Sequence, residues 1–252
     1  HKVRVADGAA ATLFETHIGE GAYLSNSVID ITLGAGAKLD RVKLEIESRS
    51  AIHLAHAVIT VGAKAVLRDF TLTSGARVNR QNGSLAFKGQ NADAKIAGSY
   101  LLAGRQHADT RLVIDHQVPK CTSREVFKCV MDDHARGIFQ GKAIVRRGAQ
   151  KTDGKQSSHA LLLSETAEFD AKPELEIYAD DVVCGHGATS GDIDHNHLFY
   201  LQSRGIPEAE AKSMLIGAFV GEAFDTISHD GVRDVLAGFA ENWLVDHKEE
   251  TR

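Results

Sequence analysis

The sequence predicts a mainly β protein: a right-handed parallel β-helix over residues 1–193, followed by a small C-terminal α-helical domain over residues 194–252. Three observations carry this. Small-residue corners recur at Gly8-Ala9, Gly21-Ala22, Gly36-Ala37, Ser50-Ala51, Gly62-Ala63, Gly75-Ala76 and Asn91-Ala92. Short alternating runs follow the corners, among them residues 28–33, 39–46, 66–72 and 111–114. From Asp194 onward the apolar period changes from two to the helical 3.6. The 23 Gly against 3 Pro in 252 residues suit a strand-rich body with many tight corners.

The corners stand 12 to 16 residues apart. Two strand-plus-corner units would then make one coil of about 25–30 residues, each coil burying its apolar face against its neighbours. An antiparallel sandwich also has evenly spaced short strands, but its hairpins favour Asn-Gly or Asp-Gly turns. Asp7-Gly8 and Asn82-Gly83 occur, but most corners read Gly-Ala followed by a polar residue. A left-handed hexapeptide solenoid would need an aliphatic residue every six positions, which does not hold over three consecutive turns. Residues 118–164 continue the pattern. Phe127, Cys129 and Met131 share one face and Lys128 and Val130 the other, while Phe139, Ala143 and Val145 alternate with Ile138, Gln140, Lys142 and Ile144. Cys129 is expected in the core, Cys121 exposed in a polar turn, and residues 146–158 in an exposed loop.

Three helices close the chain. Asp194 is placed to cap the first, whose apolar face is Leu198, Tyr200 and Leu201, with Gly205 just past its end. Pro207 opens the second, with Glu208 and Glu210 near its positive end. Leu215, Phe219 and Ala223 form a stripe there, and Val232, Val235, Leu236, Phe239, Trp243 and Leu244 form another on a third helix over residues 230–247. These faces exceed what three short helices bury among themselves. They are expected either to cap the open end of the solenoid or to bind another protein.

With 29 basic and 34 acidic residues the net charge is −5, which suggests neither nucleic acid nor an anionic membrane as partner. No run of about 18 apolar residues exists to span a bilayer. Three cysteines, an odd number, fit a reducing compartment better than a disulfide framework. The expected location is the cytoplasm, or the plastid stroma for a plant protein.

The chemistry concentrates in residues 172–205. A strand with Leu175, Ile177 and Ala179 on one face leads through Asp180-Asp181 to a second strand carrying Cys184 and His186 between glycines. Period two sets Val182, Cys184 and His186 on one side, about 6–7 Å apart in successive steps. Gly185 and Gly187 strip bulk from the flanks, so another chain can approach. Thiolate and imidazole suit iron, zinc or an iron–sulfur cluster, but two ligands are half of a tetrahedral site. The spacing equally allows Cys184 as a small core residue and His186 as a turn residue. Asp132-Asp133 and Asp180-Asp181 fit corner caps, or the carboxylates of a β-helix polysaccharide lyase, the alternative function. His195 and His197 fit a solvated helix start. No phosphate loop, nucleophile elbow or zinc-protease motif is present.

The stretches ADDVVCGHGATSG and LFYLQSRGIP resemble the SufB/SufD family of iron–sulfur cluster assembly proteins, and QKTDGKQSSHALLLS and KPELEIYADD resemble its SufD branch. The resemblance runs over essentially the whole chain. It implies a right-handed parallel β-helix with a C-terminal helical domain, and an N-terminal helical region that this chain, beginning at His1, lacks. It implies a non-catalytic scaffold subunit that pairs with a SufB-like paralogue through the β-helix and with a SufC-like ATPase through the helices. On this chain the half-site at the paralogue interface would be Cys184 and His186. No cofactor would be bound stably by the chain alone; iron or a nascent cluster would pass transiently through the interface. A homodimer of the isolated chain is also compatible. Where SufB has an acidic residue after its matching His, this chain has Gly187. Leu215, Phe219, Leu236, Phe239 and Trp243 are expected to receive the ATPase.

Overall fold

The computed structural model describes the backbone of residues 1–250 and the side chains of residues 1–244. Fourteen strands come first. The first seven are β1 (Lys2–Val5), β2 (Ala10–His17), β3 (Leu24–Leu33), β4 (Lys38–Glu45), β5 (Ile52–Val61), β6 (Val66–Thr73) and β7 (Val78–Phe87). The second seven are β8 (Asp93–Leu102), β9 (His107–His116), β10 (Thr122–Met131), β11 (Arg136–Val145), β12 (Asp153–Leu162), β13 (Glu168–Ile177) and β14 (Val183–Gly191). Helices α1 (His195–Ser203), α2 (Glu208–Phe224) and α3 (Asp230–Glu250) follow.

Odd strands form one seven-stranded sheet in the order β1-β3-β5-β7-β9-β11-β13, and even strands form the other, from β2 at one edge to β14 at the other. Every pairing is parallel, so each coil gives one strand to each sheet, as a two-faced β-helix requires. The coils begin within the expected repeat of about 25–30 residues and lengthen slightly beyond it toward the C-terminal end. Ile52 pairs with Val78, 26 residues on, and Arg136 with Glu168, 32 residues on.

Corners turn through left-handed backbone. Gly8, Gly21, Gly36 and Gly104 supply it without steric cost, but Lys64, Asn91, Lys120, Asp133 and Lys151 also hold φ between 54° and 62°. The strands are longer than the apolar runs suggested. In β3, only Ile29, Ile31 and Leu33 reach the core, while in the first half Leu24, Asn26 and Val28 are exposed and Ser25 and Ser27 partly buried.

Two apolar clusters organise the packing. One fills the lumen between the sheets, from Val5, Ile31 and Leu39 through Leu67, Phe87 and Ile114 to Cys129, Met131 and Phe139. The other lies on the outer face of the even sheet, where Val42, Phe70, Leu72, Leu101 and Val130 meet Ile216, Val220, Phe224, Leu236 and Trp243. The helices therefore cover a face of the solenoid rather than capping its end. Strands β8 and β10 are buried on both faces for this reason. Lys128, on the outer row of β10, is buried under α2; its Nζ lies 2.5 Å from Glu222 Oε2 and 4.7 Å from the centroid of the Phe219 ring.

The lumen also holds charge. Glu45 is fully buried and accepts hydrogen bonds at Oε2 from Thr73 at 2.9 Å, Asn79 at 2.7 Å and Gln81 at 2.5 Å. Lys43 pairs with its Oε1, which also lies 2.9 Å from His53 Nε2, while His53 Nδ1 lies 2.7 Å from Glu47. Arg41 bridges Glu15 at 2.6 Å and Asp69 at 3.1 Å. A cavity of about 460 Å³ adjoins this network between β1 and β10, with Ala55, Ala57 and Gly83 forming part of its wall.

Several expectations are corrected. Cys121 is fully buried, its thiol donating to Gly89 O at 3.4 Å, because the strand pairing draws the turn against the lumen. Residues 146–158 are a loop only in part: β12 starts at Asp153, and Thr152, Gln156 and Ser158 are buried. On α1, Tyr200 is exposed rather than packed, and Phe199 beside it is 71% exposed. Asp194 does cap α1, accepting from Asn196 N and His197 N, and Gly205 takes φ +85° past its end.

Candidate functional site

The candidate site is built on β14, the edge strand of the even sheet. Its partner is β12, with Cys184 opposite Gly154 and His186 opposite Gln156. Gly154, Gln156 and Ser158 are buried inward on β12, so in-register pairing puts Cys184 and His186 in the inward row. Val183, Gly185 and Gly187 occupy the outward row. Above β14 the described sheet stops, and the two side chains therefore stand at the open end of the lumen.

Cys184 is half-buried. With Val182 it packs on Val145, Ala149 and Ala179, and burial pushes its thiol up while a hydrogen bond from Gly154 N pulls the other way. His186 is exposed. A Cβ added at Gly185, Gly187 or Gly191 would meet nothing within 4 Å, and none of the three has a positive φ. Neither conformation nor crowding within this chain requires glycine there. Val183 is 63% exposed, and Ile177 and Tyr178, at the end of β13, are exposed beside the strand.

Beneath this row lies a polar floor. Gln156 Nε2 donates to Glu125 Oε1 at 3.2 Å, and both residues are buried. Burial raises the Glu125 carboxyl to about 8. His116 Nε2 lies 3.0 Å from Ser123 Oγ, and burial lowers its imidazole to about 4. A Cβ on Gly154 would be 3.4 Å from Ser123 Oγ, 3.6 Å from Cys184 Sγ and 3.9 Å from His116 Nε2, so this glycine lets the three approach one point. Glu125 Oε2, Gln156 Oε1 and His116 Nδ1 are buried without a hydrogen-bond partner. Among the described residues no group of three or more His, Cys, Asp or Glu could hold a metal ion.

The structure brings Cys184 and His186 onto one row, as the spacing predicts. It places Leu236 and Trp243 in the buried helix–sheet cluster, with Leu215, Phe219 and Phe239 packed against it. These five side chains hold the helices to the solenoid. Among the described residues, the large apolar side chains exposed on the helices are Phe199, Tyr200, Met214 and Val235. His195 and His197 are exposed at the helix start. Asp132 and Asp133 serve a corner, where Asp133 accepts from Gly104 N at 2.9 Å, and Asp181 pairs with Lys151.

Sequence reasoning missed Glu125, Gln156 and His116. Glu125 could have been found, since Ser123, Glu125, Phe127 and Cys129 are one period-two row; Gln156 was hidden in the polar run taken as a loop.

Residues 1–219 match a family model described as the SUF system FeS cluster assembly, SufBD core domain. The chain belongs to that family. It is 35% identical over 240 residues to the iron-sulfur cluster assembly protein SufD of Escherichia coli, covering 94% of this chain and 57% of that protein. It is 33% identical to an iron-sulfur cluster assembly SufBD family protein of Synechocystis, covering 87% of this chain and 49% of that protein. It is 30% identical to the chloroplastic protein ABCI7 of Arabidopsis thaliana, covering 92% of this chain and 50% of that protein. The chain thus spans about half the length of these relatives. No helix among the described residues is long and apolar enough to cross a membrane.

Proposed function

We propose that this chain is a non-catalytic scaffold subunit of iron–sulfur cluster assembly, contributing Cys184 and His186 as half of an interfacial site. Iron or a nascent cluster is the cargo of that site. The observation that carries the reading is the unpaired edge of β14, where Gly185 and Gly187 face open space between and beside two metal-ligand side chains. An exposed strand edge is a template for another chain. Small residues on it let a second backbone approach close enough to complete the ligand set.

The partner on this edge is a SufB-like paralogue, supported by the relatives' role in cluster assembly. A SufC-like ATPase is the partner of the helical layer. Since the side chains first expected to receive it serve packing, its contact surface falls to the solvent-facing Met214 and Val235 and to Phe199 and Tyr200. Helix α2 meets the outer face of β8 and β10, three and two strands from β14, so ATPase motion reaches the site through the even sheet.

Co-purification tests this in the full-length protein. Ala188→Pro removes a backbone N–H from β14, and Gly187→Glu adds bulk and charge to its outward row. Both variants should lose the paralogue and keep the ATPase. Retention of the paralogue by both would overturn the docking edge.

A further inference from the structure

We propose that His159 is a positioning residue for β14, tying the docking edge to helix α2 through one polar row on the outer face of the even sheet. The inference rests on the reading of β14 as a docking edge and deepens it, but its test needs no partner.

Lys128, His159 and Thr189 stand in register on β10, β12 and β14. Their immediate neighbours Cys129 and Ser158 are buried inward, so all three lie on the outward row. Adjacent strands lie about 4.8 Å apart, which makes these side chains direct neighbours across the sheet. Contacts hold both ends of the row. His159 Nδ1 shares a hydrogen bond with Thr189 Oγ1 at 2.7 Å. Lys128 Nζ lies 2.5 Å from Glu222 Oε2 and 4.7 Å from the centroid of the Phe219 ring, both on α2. The charges of that contact reach His159: burial lowers its imidazole, the Lys128 ammonium lowers it further, and Glu222 opposes them.

His159 also marks where the helix layer ends. Leu161, two residues on, packs against the helix–sheet cluster, whereas residues 188–191 on β14 are exposed. Strand β14 has a hydrogen-bonded neighbour on one side only. Its glycines add backbone freedom and bring no side chain to pack. The bond at Thr189 therefore fixes the half of the strand that packing leaves free. An edge ordered in advance lowers the entropy that a second chain must remove on pairing with it. Displacement of α2 takes Glu222 from Lys128 and leaves that charge uncompensated beside the imidazole that holds Thr189. The position of α2 thus sets how firmly β14 is held.

The test is hydrogen exchange at residues 188–191 in the full-length protein without partners, with β3 and β5 as internal controls. Thr189→Val, which keeps the shape and removes the hydroxyl, and His159→Leu should each speed exchange there by roughly 2- to 10-fold, the effect of one lost hydrogen bond. Thr189→Ser, which retains the hydroxyl, should exchange as wild type does. Glu222→Gln, at a side chain 65% exposed, should also speed exchange on β14 but add nothing in the Thr189→Val background. Wild-type exchange at residues 188–191 in both Thr189→Val and His159→Leu, or equal acceleration of β3 and β5, would overturn the proposal. So would a Glu222→Gln effect that is absent, or undiminished in the Thr189→Val background. Paralogue binding by the same variants tests the docking edge separately: faster exchange with unchanged binding would count against that edge and leave the tie to α2 standing.

Discussion

Phe70 on β6 and Phe224 on α2 meet edge to face, their ring centroids 5.4 Å apart at 83°. Both are buried, and around them the outer face of the even sheet and the apolar faces of α2 and α3 share one cluster. The edge-to-face geometry adds to the area buried. Phe224→Ala should cost about 3–5 kcal/mol, the usual effect of truncating a buried Phe. Hydrogen exchange should show α2 and α3 loosened while the lumen strands stay protected. Uniform loosening of β3, β5 and β7 as well would contradict this division of the core.

Glu125 makes stability depend on pH in an unusual direction. Its carboxyl is raised from 4.5 to about 8 by burial, so the folded chain keeps a proton that the unfolded chain releases. Stability therefore falls as pH rises from about 4.5 toward 8. Glu125→Gln, neutral at every pH, should be more stable than wild type by about 3 kcal/mol at pH 7 and nearly equal to it at pH 4.5. His116 acts oppositely: lowered from 6.5 to about 4, it takes up its proton later than in the unfolded chain, and stability falls as pH drops through that window. In wild type the two slopes offset each other where they overlap; in Glu125→Gln the acid loss should stand alone. Urea midpoints from pH 4 to 8 measure this, and an equal increment at every pH would contradict it.

At the corners, Lys64 and Lys120 hold φ of 56° and 60° with exposed side chains. A non-glycine residue in this region costs about 1–2 kcal/mol, partly offset by the greater chain entropy of glycine. Lys64→Gly and Lys120→Gly should each stabilise the protein by roughly 0.5–1 kcal/mol. Gly36→Ala, at φ 65°, should destabilise it. Thermal midpoints of the three variants test the signs.

The three thiols differ in access. Cys121 and Cys129 are buried, burial raises both, and Cys184 alone is partly open. Iodoacetamide should label Cys184 in the native protein and reach the other two only on unfolding. Native labelling of Cys121 at a comparable rate would contradict its place in the lumen.

How much of this was legible in the sequence follows from what period and spacing encode. Coil length and parallel stacking were legible, because glycine-rich corners mark each turn. So was the shared row of Cys184 and His186, because period two needs no tertiary information. Alternation, however, does not say which row faces inward. In β4 the charged row of Arg41, Lys43 and Glu45 faces the lumen, while Val42 and Leu44 face the helices. Only knowledge that a helix layer covers that sheet resolves the ambiguity. The burial of Leu236 and Trp243 was hidden for the same reason, since an apolar stripe reads alike whether it meets a sheet or a partner. Gln156 was missed because a polar residue that completes a buried polar stack looks, in one dimension, like a loop residue.

The central claim is that this chain supplies half of an interfacial site through β14. The most direct measurement is anaerobic reconstitution of the full-length protein with its SufB-like paralogue and SufC-like ATPase, using ferrous iron and sulfide, and comparing wild type with His186→Ala at matched complex content. The account predicts that the variant assembles with its partners but loses most of the iron and the cluster absorbance. Undiminished cluster content in the His186→Ala complex would contradict it.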